Sequence, residues 1–358
     1  VMLHGVAFGT YLQQSGPRGR DAAFSTNWIM AAGMKPIGNG TLMLRTMLSL
    51  EPATIDHQAY PLLFQTGETA NGRAIIDGQH PHDFVMELAA EYAHPVAGGI
   101  GYVYVAPHGD PALGPIAFPH RPSAAEIPQA VLGHHQQDST HIASSVVTTG
   151  YRRGPLAFEV SGFHGAEPDE ERWNIDLGPI DSWSARVSVI PTSQLVAQVS
   201  YGALKKPEAL EAGDAVRTTA SVAWERPMPR AHLSTSLVYG LQRKKGSDQK
   251  LDAYLAEALL HVGVRHWIST RLERAEKDEL FGHAHAPVKP AVKPTIPTFT
   301  INSALIGYTI DVWTGAPVKV GVGANWTFHS TPGELDPFYG EDPQSRAVFV
   351  RLRLIGGQ

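Results

Sequence analysis

Apolar and polar side chains alternate along most of the chain with a period of two. Across residues 41–51, Leu42, Leu44, Leu48 and Leu50 fall on one side, and Thr41, Arg45, Ser49 and Glu51 on the other. Residues 216–225 repeat the pattern, with Val216, Ala220, Val222 and Trp224 opposed to Arg217, Thr219, Ser221 and Glu225. Val318, Val320, Val322, Trp326 and Phe328 oppose Lys319, Asn325 and Thr327, and Val348, Val350, Leu352 and Leu354 oppose Arg351 and Arg353. Such alternation marks strands whose two faces meet unlike surroundings.

Sixteen segments of this kind are predicted, at about 2–13, 25–36, 41–52, 83–93, 99–107, 141–152, 155–164, 181–190, 194–204, 215–226, 231–242, 251–260, 264–274, 298–310, 317–328 and 346–355. The segments at 251–260 and 298–310 are the weakest, and the first also fits a helix. Most run 10 to 13 residues, against roughly five or six for a strand of a globular protein and about 9–11 for a strand tilted across a bilayer. Short connections bearing turn residues, such as Asn39-Gly40, alternate with long ones at 14–24, 53–82, 108–140, 165–180, 205–214, 243–250, 275–297 and 329–345. Both chain ends fall on the short-turn side. An even strand number with short turns at one rim and long loops at the other predicts an all-β fold: a single closed antiparallel transmembrane barrel over residues 1–358. Closure pairs every backbone group and leaves no free edge in hydrocarbon.

The inward positions carry Arg45, Glu51, Glu87, Glu91, Glu159, Arg186, Arg217, Glu225, Arg271, Glu273, Arg351 and Arg353. Charges of both signs would be ruinous in a dry core and are acceptable in a hydrated lumen. Tyr92, Trp183, Tyr201, Trp224, Tyr239, Trp313 and Trp326 sit near strand ends, where interface girdles lie, although aromatic residues also simply favour strands. The chain has 43% hydrophobic residues and no cysteine, which excludes a disordered chain and any thiolate metal site. A net charge of −5 gives no reason to expect nucleic acid. Residue 1 is Val, as in a trimmed or mature form.

The architecture resembles a Gram-negative outer-membrane β-barrel of porin-like type over the whole chain. The stretches Pro61-Leu62-Leu63-Phe64-Gln65-Thr66-Gly67-Glu68 and Gln79-His80-Pro81-His82-Asp83 are similar to those of poorly characterised bacterial outer-membrane proteins. The resemblance implies a bacterial outer-membrane location with periplasmic termini. It also implies contact with outer-membrane lipid and assembly as a homo-oligomer or with other envelope proteins. The ending Leu354-Ile355-Gly356-Gly357-Gln358 departs from the terminal aromatic common in such barrels.

Histidine is the anomalous residue. Twelve of the 17 lie in or beside the long loops. Two clusters stand out: His80 and His82 with Asp83, and His134 and His135 with Asp138 and His141. Imidazole with carboxylate suits a divalent transition metal, and polar loop contacts are the plainer explanation. Strand parity extrapolated from Glu87 turns Asp83 inward and His80 and His82 outward, unless a kink at Pro81 reverses it. Acidic Glu167, Asp169, Glu170, Glu171, Glu276, Asp278 and Glu279 fit either a cation-attracting mouth or solvated loop charge. The long segment 108–140 carries Leu113, Ile116, Phe118, Ile127, Val131 and Leu132. It is too apolar to stand in water and is expected to fold into the lumen, with a cap or partner surface as the alternative. No nucleophile elbow or dinucleotide fingerprint survives its context test, so no enzyme is expected. Three functions fit: a channel for small hydrophilic solutes or metal ions, a structural barrel in an outer-membrane assembly with a His-rich, metal-binding mouth, and, outside the membrane, a soluble metal-binding β protein.

Overall fold

A computed structural model describes residues 1–138, 143–210, 213–245, 249–281 and 297–354. The strands are β1 (Met2–Gln14), β2 (Ala22–Ile37), β3 (Gly40–Leu48), β4 (Tyr60–Ala70), β5 (Arg73–Gln79) and β6 (Val85–Val96). They continue as β7 (Gly99–Gly109), β8 (Ala143–Arg153), β9 (Leu156–His164), β10 (Ser182–Thr192), β11 (Leu195–Leu204) and β12 (Ala215–Met228). The last are β13 (Ala231–Lys244), β14 (Lys250–Val262), β15 (His266–Lys277), β16 (Phe299–Trp313), β17 (Val318–Ser330) and β18 (Gln344–Leu354). Among the described residues helix is confined to single turns, α1 (Glu51–Thr54), α2 (His134–Gln137) and α3 (Asp336–Tyr339), with a few turns of 3-10 helix. All strands but β4 and β5 form one closed antiparallel barrel of sixteen, sealed where β1 pairs with β18. Each predicted segment corresponds to one barrel strand, including β14, whose pairing with β13 and β15 is uninterrupted.

Alternation decides which face is which. On β17, Gly321, Gly323 and Asn325 are buried while Val322 and Trp326 are exposed. Val105, Val160, Val199, Leu237, Leu272, Ile306 and Val348, all on the outside, are each 40–59% exposed. A continuous apolar outer surface of this extent is unstable against water and matched to hydrocarbon. Trp183 and Tyr201, 5.6 Å apart, flank it toward the long loops, and Tyr92, Trp224 and Trp313 toward the short turns.

Two features depart from the sequence reading. Residues 41–52 do not form one strand: β3 ends at Leu48 and Glu51 begins α1. Glu51 is therefore not an inward residue of the wall, and its carboxylate receives the backbone N–H of Asn27 and of His82. The connection 53–82 holds a second sheet, the hairpin β4–β5. Its turn is Asn71-Gly72 with φ of +54° and +71°, a pair suited to a tight hairpin turn.

Candidate functional site

Residues 110–138 occupy the barrel interior. Ala112 N–H donates to Ser161 Oγ on β9 and Gly114 N–H to Ser200 Oγ on β11. Ser123 Oγ meets Ser236 on β13, and Leu132 N–H donates to Glu273 on β15. Gln129 pairs with Asn325 on β17, and Thr26 on β2 donates to the Pro128 carbonyl. A segment that touches the inner wall on all sides crosses the lumen. The wall is cut away where it passes: a Cβ at Gly240 would stand 2.4 Å from the Gln136 carbonyl oxygen.

Buried ion pairs fasten this segment. Arg121 Nε donates to Glu257 Oε2 at 2.9 Å, and Arg271 Nε donates to the other oxygen at 2.9 Å. Arg121 Nη1 also reaches Asp138 at 3.3 Å. Glu126 receives both Arg351 and Arg353, and Arg351 also meets Asp311. Elsewhere in the wall, Arg45 pairs with Glu87 at 2.6 Å and Arg186 with Glu159 at 2.7 Å. Arg45, Arg186 and Glu159, with Glu91, Tyr102 and Asp110, line a cavity of about 230 Å³. Arg217 donates to Gln242, and Glu225 accepts from Ser234 near the short turns. Glu257, Glu126, Asp311 and Arg121 were not legible in advance. Glu257 is flanked on the inner face of β14 by Leu255 and Leu259, also buried, so the alternation that reveals inward charges is erased there.

The hairpin β4–β5 stacks on the same segment. Ala130 N–H donates to Tyr60 Oη, Gln65 Nε2 donates to the Val131 carbonyl, and Lys277 Nζ donates to Gln65. Phe64, Glu68 and Asp77 hold φ of +65°, +59° and +55°, a region costly for such side chains and usually kept where a site requires it.

At the junction of the two inner segments the histidines gather. The strand parity that turned His80 and His82 outward does not reach them, because β6 starts at Val85 beside a register shift. Both lie buried inside, as do His134 and His135 on α2. Ring centroids of His80 stand 5.8 Å from His134 and 5.9 Å from His135, which are 5.0 Å from each other. Nδ1 of His134 faces Asp138 at 2.7 Å, that of His135 faces Glu167 at 3.0 Å, and that of His82 faces Glu51 at 2.9 Å. His82 is 6.4 Å from His80 by centroids and is held by Glu51, outside the close group. Asp83 pairs with Arg172, which also meets Glu68. His141, with His283 and His285, lies outside the described residues.

Burial, with the Arg172 charge and the neighbouring rings, holds His80 well below the ordinary imidazole range. Burial likewise takes His134 and His135 down to about 4. For His82 burial acts downward but the Glu51 carboxylate outweighs it and raises the group. Burial and the Glu68 charge push Glu167 up to about 8. His80, His134 and His135 are thus neutral imidazoles at neutral pH. The acidic loop residues are mostly engaged: Glu170 receives Gly72 N–H, Asp169 receives Glu171 N–H, Glu276 receives Asp252 N–H and Asp278 pairs with Lys244.

No protein-family model matches the chain, and no curated protein sequence does. Solved structures match in fold. An anion-selective porin from Comamonas acidovorans superposes with a TM-score of 0.61 over 98% of each chain, at 11% identity. The chain has the porin fold. OmpF of Salmonella typhi, solved with daunomycin, gives a TM-score of 0.56 at 11% identity over 98% of this chain and 97% of its own. OmpT of Vibrio cholerae, an outer-membrane protein solved in a trimer form, gives 0.51 at 8% over 98% of each chain. Identities this low establish architecture and leave the inner segments of this barrel to be read from its own residues.

Proposed function

We propose that the protein is a bacterial outer-membrane channel for small hydrophilic solutes, with a lumen narrowed by residues 110–138 and by the hairpin β4–β5. On this reading the short turns and both chain ends are periplasmic and the long loops extracellular. The observation that carries it is the coexistence of an apolar exterior with charged cavities inside the wall. The polar cavity at Arg45, Glu91, Tyr102, Asp110, Glu159 and Arg186 is of small-solute size. Arg45–Glu87 and Arg186–Glu159 are mutually neutralising pairs, which favours weak charge selection over strong anion or cation preference. Planar-bilayer recording and liposome swelling test this. Small conductance and uptake of small polar solutes are expected. A correctly folded, inserted protein that passes neither ions nor sugars overturns it.

A second reading is a sealed barrel serving as structural subunit of an outer-membrane assembly. The contact of residues 110–138 with wall strands on all sides favours it. Absence of conductance together with co-purifying envelope partners would decide for it. A trimer like the OmpT form is the natural oligomer to look for by cross-linking.

A further inference from the structure

Three imidazoles from two inner segments meet at one point of the lumen. His80 follows β5, and His134 and His135 lie on α2. One candidate ligand nitrogen from each lies within 4.8 Å of the others. In a tetrahedral site with bonds of about 2.1 Å, ligand nitrogens stand about 3.4 Å apart, so closure needs ring movements of about 1 Å. Each ring has an acceptor at Nδ1: the Pro81 carbonyl for His80 at 3.1 Å, Asp138 for His134 and Glu167 for His135. That outer contact is what fixes an imidazole as the Nδ1–H tautomer and presents Nε2 as the ligating atom. His80 supplies an independent sign. Its Nε2 is buried and makes no hydrogen bond, although Glu68 Oε1 lies 3.1 Å away. A buried atom of this kind is satisfied by an ordered water or a bound cation, and the facing Glu68 carboxylate favours the cation.

We propose that His80, His134 and His135, with Glu68 as oxygen donor, hold one divalent transition cation of the Zn²⁺ class. Three imidazoles and a carboxylate are borderline donors suited to Zn²⁺, Cu²⁺ or Ni²⁺, and with no cysteine in the chain a thiolate-selected metal has no ligand. Glu68 faces Arg172 and Asp138 faces Arg121, and the charges of Lys277 and Arg217 reach His135, so the surroundings are close to balanced and the donor set, not net charge, selects the cation. A cavity of about 220 Å³ reaches from His4 and Leu354 near the short turns up to His80 and His82, giving a way in. The cation would join the β4–β5 segment to residues 110–138, so the site would brace the two inner segments against each other. This inference stands apart from the channel reading, since a sealed barrel would bind the metal equally.

Equilibrium dialysis of the full chain in detergent against Zn²⁺, read by elemental analysis, tests it, with absorption of the Co²⁺-substituted protein as the geometric readout. About one equivalent per chain and an intense tetrahedral Co²⁺ band are expected. H80Q and H134Q should each weaken binding by about 100-fold or more, and D138N, acting through His134, by about 10- to 100-fold. H232Q, at a half-buried site near the short turns, should leave metal binding unchanged. Heat-modifiable mobility on gels verifies that each variant still forms the barrel. Failure of the wild type to bind a near-stoichiometric metal, or binding unchanged in the H80Q/H134Q double variant, overturns the proposal. A variant that fails to fold is replaced by the Co²⁺ spectrum of the wild type, whose lack of a tetrahedral band is equally decisive against it.

Discussion

Replacing Arg121 by Met should release residues 110–138 from the wall while leaving the barrel intact. Arg121 is 2% exposed and its partners Glu257 and Asp138 are fully buried. Methionine retains the apolar stem and removes contacts at 2.9 and 3.3 Å. Each charge-assisted hydrogen bond contributes about 1.5–3 kcal/mol, and breaking a buried pair costs about 3–5 kcal/mol. Glu257 keeps Arg271 Nε at 2.9 Å and Ser123 Oγ at 3.1 Å, and Asp138 keeps His134 and the Phe118 N–H. Neither carboxylate is stranded, so the loss belongs at the lower end, about 3 kcal/mol. At about 1.4 kcal/mol per decade, that multiplies the population with the segment undocked about 150-fold. Single-channel recording reads this as a matching rise in the frequency of large-conductance openings. Limited proteolysis reads it as new cleavage within 110–138. A variant that is heat-modifiable and inserts normally, yet opens and cleaves within twofold of the wild type, refutes the reasoning that these ion pairs hold the segment in place.

Further tests address the other links. Burial, with the charges of His82 and Arg45, holds His120 at about 3 in the docked state, against about 6.5 when exposed. A base depressed in this way contributes stability above pH 6.5 that is lost as the pH falls toward 3, at about 1.4 kcal/mol per unit. Protease sensitivity of residues 110–138 should therefore rise between pH 7 and 5, and H120F should lessen that rise, with His134 and His135, also held at about 4, carrying the remainder; an equal rise in both would exclude His120 as a source. Leu237→Arg places a charge at a position 59% exposed on the outer wall and should destabilise folding into bilayers by about 2–4 kcal/mol, with no penalty if that face meets water. Gly67→Ala would bring a Cβ to 2.3 Å from His135 Nε2 at a φ of +116°. It should lower metal affinity with the sixteen-strand barrel preserved, as seen in Co²⁺ titration beside unchanged circular dichroism.

The wall of this protein is legible residue by residue, because alternation is a local property. Each strand needs only its own apolar and polar faces to show that one side meets hydrocarbon and the other does not, and strand lengths with sorted loops supply closure. Even so, the alternation thinned at β14, where inner leucines flank Glu257, and it extrapolated falsely through His80 and His82 once the strand had ended. The hairpin β4–β5 had its signal in Asn71-Gly72, but within a connection read as a plain loop. What the interior holds is another matter. Arg121 meets Glu257 across 136 residues of chain, Arg351 meets Glu126 across 225, and His80 meets His134 from a different connection. Those encounters exist only after the cylinder closes and forces two long apolar connections to bury themselves against its inner face. Local pattern therefore determined the barrel, and only tertiary structure could choose which buried charges compensate each other and which imidazoles converge.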